Sequence, residues 1–90
     1  MIEFKADIYS RHVKTYEHIY LDETQITLLA QPRWSGNSID QPFEKGSWFF
    51  NIVIGGSNQK FFFEKEDSCM QVFELIKNAF ISRLVINSKA

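Results

Sequence analysis

SWFFNIVIGGSNQKFFFEKEDSCMQVFELIKNAFISRL, Ser47 to Leu84, reads as two apolar strands, a Gly-Gly turn and one amphipathic helix. Trp48, Phe50, Ile52 and Ile54 alternate with Phe49, Asn51 and Val53, and alternate residues of a strand point to opposite faces. Both sets are largely apolar, so this strand is expected to be central and covered on much of both faces. Gly55-Gly56-Ser57-Asn58 follows; glycine reaches positive φ without a Cβ clash, which suits a tight hairpin turn. Lys60 to Lys65 alternates again, with Phe61 and Phe63 opposite Lys60, Phe62 and Glu64. Each buried aromatic ring contributes roughly 2–3 kcal/mol as an upper value.

The helix is expected to begin near Asp67 or Ser68. Ser68 and Gln71 have the spacing of a capping box, and Glu66 and Asp67 place negative charge at the positive end of the helix dipole. At 100° per residue, Cys69, Val72, Phe73, Leu75, Ile76, Ala79, Phe80 and Leu84 form one broad stripe. Met70, Ile81 and Val85 lie off it, either as ordinary exposed residues or as a second contact surface. Beyond them, residues 86–90 read as a frayed tail.

Ninety residues, 44% of them hydrophobic and nine of them phenylalanine, suit one small domain, 1–90, with an ample core. The net charge of −1 gives no strong pull toward nucleic acid or an anionic membrane. Nothing approaches the roughly 20 apolar residues that cross a bilayer, and the first residues show no leader pattern, so a cytoplasmic location is expected. Cys69, the single cysteine, sits on the apolar stripe and reads as a buried structural thiol.

Met1 to Tyr9 alternates cleanly, with Ile2, Phe4, Ala6 and Ile8 facing the core and Glu3, Lys5, Asp7 and Tyr9 facing water. Ser10-Arg11-His12 marks a turn or bend. Val13 to Leu21 is a second strand, and Gln25 to Ala30 a third. The short polar break Asp22-Glu23-Thr24 between them suggests that Ile19–Leu21 and Ile26–Leu28 are antiparallel neighbours. Residues 31–46, with both prolines, read as a long irregular loop, usually functional or mobile in a compact domain. Within it Ser38-Ile39-Asp40 has room for a short strand. The fold class is therefore α+β: an antiparallel sheet of about five strands with one C-terminal amphipathic helix packed on one face. This order of elements resembles the pleckstrin-homology-like and related small α+β folds, in element order alone, and implies no function.

Two stretches stand out as candidate binding residues. The row His12, Lys14, Tyr16, His18 and Tyr20 interleaves basic groups with aromatic rings, which suits base stacking and phosphate contact, a protein interface, or simply a solvated strand face. Arg33-Trp34 joins two residue types common at interface hot spots, and an Arg stacked on a Trp is also plain structural chemistry. His12 and His18 would stand about 20 Å apart along one strand, too far to share a metal ion, so neither a metal nor another cofactor is expected. No nucleophile motif or clustered carboxylates point to catalysis, and Gly55-Gly56 lacks the Lys-Ser/Thr and helix context of a phosphate loop. The leading expectation is a non-enzymatic interaction or accessory module with a protein partner or a second copy of itself. The alternatives are weak single-stranded nucleic-acid binding on the His12–Tyr20 face and a small ligand beneath the 31–46 loop.

Overall fold

The computed structural model describes residues 1–10, 13–36, 43 and 45–89, with backbone alone for 10 and 83–89. The expected strand at residues 38–40 and the turn at 11–12 lie outside these residues. The order is β1 (Ile2–Ser10), β2 (Val13–Leu21), a 3₁₀ turn (Glu23–Gln25), β3 (Ile26–Leu29), β4 (Arg33–Ser35), β5 (Ser47–Ile54), β6 (Ser57–Phe63) and α1 (Glu66–Lys89). The strands form one antiparallel sheet in the order β2-β1-β6-β5-β3, with β4 also paired to β5.

The β5–β6 hairpin forms as its sequence dictates. Ile54 lies opposite Ser57, and Gly55 and Gly56 take φ of 54° and 84° between them. Two consecutive positive φ values match the right-handed twist of the flanking strands. That tight turn puts Phe50 opposite Phe61 and Trp48 opposite Phe63. Phe50 is fully buried, with ring centroids 5.8 Å from Phe61, 5.9 Å from Phe63 and 5.7 Å from Phe73 of α1. Ile2, Phe4, Ala6, Leu21, Ile26, Ile52, Cys69 and Ile76 complete the core between sheet and helix.

The helix lays Cys69, Phe73 and Ile76 on the sheet and keeps Met70 and Ile81 exposed. Leu75, expected in the buried stripe, is 48% exposed; it lies roughly 120° around the helix from the Cys69–Phe73–Ile76 line, beyond reach of the sheet. The start also differs from the capping-box reading. The Cys69 amide already donates to the Lys65 carbonyl at 3.2 Å, so the helix begins at Glu66 and Ser68 sits inside its first turn. At the other end α1 continues to Lys89, through residues 86–89 that composition alone suggests are frayed.

The expected pairing of β2 with β3 does not occur. β2 pairs with β1 over nine residues and β3 pairs with β5, so the two strands lie on opposite edges of the sheet. The polar break between them is a 3₁₀ turn capped by Asp22, whose carboxylate accepts from the Thr24 amide at 3.0 Å and hydroxyl at 2.6 Å. Laid flat, the registers would put Leu21 and Ile26 well over 30 Å apart, yet five residue steps span at most about 18 Å. The sheet therefore coils until its two edges approach, and both Leu21 and Ile26 are buried at that seam. A short break thus joined two edges of a coiled sheet, where a local reading sees a hairpin.

Residues 31–46 are not irregular throughout. Arg33–Ser35 forms β4 against Phe49, Trp48 and Ser47 of β5. Three residues between Pro32 and Gly36 carry too little alternation to announce a strand.

Candidate functional site

The face of the sheet away from α1 gathers most of the residues singled out in the sequence. β1 and β2 pair Asp7 with Tyr16, Lys5 with His18, Glu3 with Tyr20 and Tyr9 with Lys14. Cross-strand partners share a face, so Lys14, Tyr16, His18 and Tyr20 stand on this outer side. Asp7 in turn pairs with Phe62, Phe62 with Phe49, and Phe49 with Arg33. Tyr16, Asp7, Phe62, Phe49 and Arg33 therefore form one transverse row across the sheet. The next row runs Lys14, Tyr9, Lys60 and Asn51.

Arg33 and Trp34, adjacent in sequence, are divided between the two faces. The Arg33 guanidinium lies 5.3 Å from the Phe49 ring centroid and donates to Asn51 Oδ1 at 3.4 Å. Trp34 turns the other way, with its ring centroid 5.6 Å from that of Trp48. Its indole also rests against Gly46, where any Cβ would meet it. Half of Trp34 stays exposed, but the ring is seated on its own chain. His12 lies outside the described residues.

Lys60 places its ammonium 5.7 Å from the same Phe49 ring, so two cations from different strands converge on one aromatic side chain. Asn51 Nδ2 donates to Asn58 Oδ1 at 3.2 Å, extending the polar line along β6. Lys14 Nζ sits 4.6 Å from the ring of Phe43. Tyr9 meets Phe62 edge to face at 6.3 Å. Lower on the face, His18 Nε2 contacts Glu3 Oε2 at 3.0 Å and its ring stacks on Tyr20 at 4.7 Å.

Asp7 departs from the expectation that it faces water. It is buried, because β1 is flanked by strands on both sides and Tyr16 and Phe62 stand beside it. Burial pushes its carboxyl above the usual range; the charge of Lys14 opposes that shift and Glu64 adds to it. Lys5, Asp7, Lys14, Tyr16, Phe43 and Glu64 line part of a shallow depression of about 540 Å³. Among the described residues, no group of three or more His, Cys, Asp or Glu is placed to hold a metal ion, and no helix is long and apolar enough to cross a membrane.

The two edges of the sheet differ. The β3–β4 edge is interrupted: its register shifts between Ile26 and Leu28, and Pro32, which has no amide hydrogen, falls before β4. β2 is an unbroken strand of nine residues without proline, paired only with β1 among the described residues. Ser10 lies opposite Val13 with two residues between them, the arrangement of a hydrogen-bonded closing pair. Alternation along the ladder then turns the amides and carbonyls of Lys14, Tyr16, His18 and Tyr20 outward.

Tyr9, Phe49, Asn51, Asn58 and Lys60 belong to this face but do not stand out in the sequence. The Gly-Gly turn carried part of the signal, since it fixes Phe49 opposite Phe62 and Asn51 opposite Lys60. The pairing of β1 with β6, which joins the two halves of the face, has no local signature. Compared with protein-family models, curated proteins and solved structures, the chain matches none.

Proposed function

We propose that the protein is a small non-enzymatic interaction module that takes up a segment of another polypeptide as an added strand along β2. One observation carries this reading: β2 offers nine continuous residues with only one neighbouring strand among the described residues, while the opposite edge is broken by a register shift and a proline. A row of outward amides and carbonyls that no second strand meets among the described residues is a template for another chain. Val13, Tyr16 and Tyr20 are 59%, 66% and 64% exposed, so side chains on both faces of the edge are available beside that backbone. The segment would come from a partner protein or from a second copy. A cytoplasmic setting fits the single buried thiol and near-neutral charge.

The test is affinity capture of the tagged protein from its native lysate with nuclease present, together with sedimentation of the purified protein. A Tyr16→Pro variant removes one outward donor without touching the β1 ladder, and its fold is checked by circular dichroism. The expected result is a stoichiometric protein, or a dimer, that Tyr16→Pro loses while remaining folded. A monomer that captures nothing, or capture that survives Tyr16→Pro, overturns the reading.

A further inference from the structure

We infer that the upper rows of the outer sheet face form a second binding surface, whose ligand is single-stranded nucleic acid. The surface comprises Tyr9, Lys14, Tyr16, Arg33, Phe49 and Lys60. It is separate from the β2 edge: an added strand meets backbone groups at the rim, whereas this surface runs across β2, β1, β6, β5 and β4. Single-strand binders without sequence preference combine cations that follow the phosphates with aromatic rings that take the bases. Both parts are present, interleaved by register.

The cations come first. Lys14 and Lys60 flank Tyr9 in one row, and Arg33 stands in the next. Lys14 and Lys60 are two strands apart, about 10 Å at the backbone. None of the three forms an ion pair among the described residues. Arg33 and Lys60 are instead held over the Phe49 ring at 5.3 Å and 5.7 Å. Two like charges drawn to one ring gain from its quadrupole but still repel each other, and an anion between them relieves that repulsion.

The acidic groups are distributed to suit this. Asp7, the one carboxylate within these rows, is buried. Glu3 is engaged with His18 in the lower rows, and Glu64, just past the end of β6, borders the surface in the depression it shares with Lys5, Lys14 and Tyr16. The whole chain carries −1, yet this part of it is locally positive. For the bases, Tyr16 is 66% exposed and Tyr9 half-buried, diagonal neighbours across β1 and β2 at about 7–8 Å. Phe49 orients Arg33 and Lys60, Phe43 lies against Lys14, and the tyrosines offer the stacking planes.

Three phosphate contacts on a single strand give a slope of about −2 in log affinity against log salt, or roughly a 20-fold loss between about 50 and 200 mM. The experiment is fluorescence anisotropy of a labelled oligothymidylate of about 12 nucleotides over that salt range. Arg33→Ala with Lys60→Ala, both at exposed positions, should weaken binding about tenfold at the lower salt and bring the slope to about −0.7. Lys77→Ala on the helix should leave both unchanged. The inference is overturned by absence of binding at about 50 mM salt, by a double variant that binds like the parent, or by poly-glutamate competing as well as the oligonucleotide, which would indicate an acidic polypeptide as the occupant. These variants leave the β2 backbone intact, so strand addition stands or falls separately.

Discussion

Replacing Gly46 and Gly56 by alanine in turn separates two costs that usually arrive together. Both glycines have positive φ, 109° and 84°, so each alanine carries a backbone penalty of about 1–3 kcal/mol. Around Gly56 a Cβ meets nothing within 4 Å. At Gly46 the same atom would lie 2.5 Å from the Ser35 carbonyl oxygen and 2.5 Å from Cζ2 of Trp34. The Ser35 oxygen belongs to β4 and cannot swing aside as a side-chain tip would. Relief requires moving β4 off β5 or lifting the Trp34 ring from Trp48, an overpacking cost of about 1–3 kcal/mol more.

Gly46→Ala should therefore be about 2 kcal/mol less stable than Gly56→Ala. With a urea m-value of about 1.5 kcal/mol/M for a domain of this size, the midpoints should differ by about 1.3 M. Trp34 and Trp48 are the only two tryptophans in the chain, so native-state emission reports on this contact directly. It should shift to the red in Gly46→Ala and stay at the parent wavelength in Gly56→Ala. Equal midpoints with unchanged emission would refute the seating of Trp34 on Gly46, and with it the view that this indole is a structural contact first.

Phe50→Ala should cost about 3–5 kcal/mol in the same urea assay, because a fully buried ring in contact with three other phenylalanines leaves a cavity the strands cannot close; a loss below about 1 kcal/mol would contradict that packing. Asp7→Asn should stabilise the protein at pH 7. The folded carboxyl titrates above its usual value, so the native state is favoured while Asp7 is protonated and that contribution is lost as pH rises through the folded pKa. The gain from Asn, read as a difference in Tm, should shrink as pH falls toward the ordinary carboxylate range, and an Asn variant less stable than the parent at pH 7 would count against it. Cys69 is fully buried and its thiol is pushed up to about 12, mainly by desolvation and secondarily by Glu66. A disulfide exchange reagent at pH 8 should modify it only as fast as the protein opens, and stoichiometric reaction within the dead time would show an accessible thiol.

The parts of the fold legible in the sequence are those whose geometry is set locally. Gly55-Gly56 fixes the β5–β6 register without reference to anything else, and the spacing of Cys69, Phe73 and Ile76 places the buried side of α1. Ile2, Phe4 and Ala6 announce their face by alternation alone. The features that escaped are consequences of the coil. Nothing near Leu21 or Ile26 states that they meet at a seam and pair with different strands. Asp7 reads as exposed because its alternation is faultless, and its burial depends on Phe62, fifty-five positions away, arriving alongside β1. The same non-local pairing of β1 with β6 joined Tyr9 and Lys14 to Lys60, Phe49 and Arg33. The candidate face was thus visible in two halves, and their adjacency was not.

The coil also bounds what β2 can do. At its lower end Ile19 is half-buried and Leu21 is buried beside the seam, leaving Lys14, Tyr16 and His18 as the outward positions clear of the seam. Three residues supply up to six backbone hydrogen bonds, each worth about 0.5–1.5 kcal/mol net. Association and ordering of the incoming segment cost about 4 kcal/mol or more. The backbone contribution alone therefore reaches about −5 kcal/mol at best, a Kd of a few tenths of a millimolar, and the balance must come from side chains on the incoming strand. A partner segment titrated by calorimetry should bind no tighter than about 0.1 mM when its side chains are reduced to alanine, and should tighten when apolar residues are restored on the side facing Val13 and Ile19. Nanomolar binding by the alanine segment would mean that the contact is not an added strand along this edge.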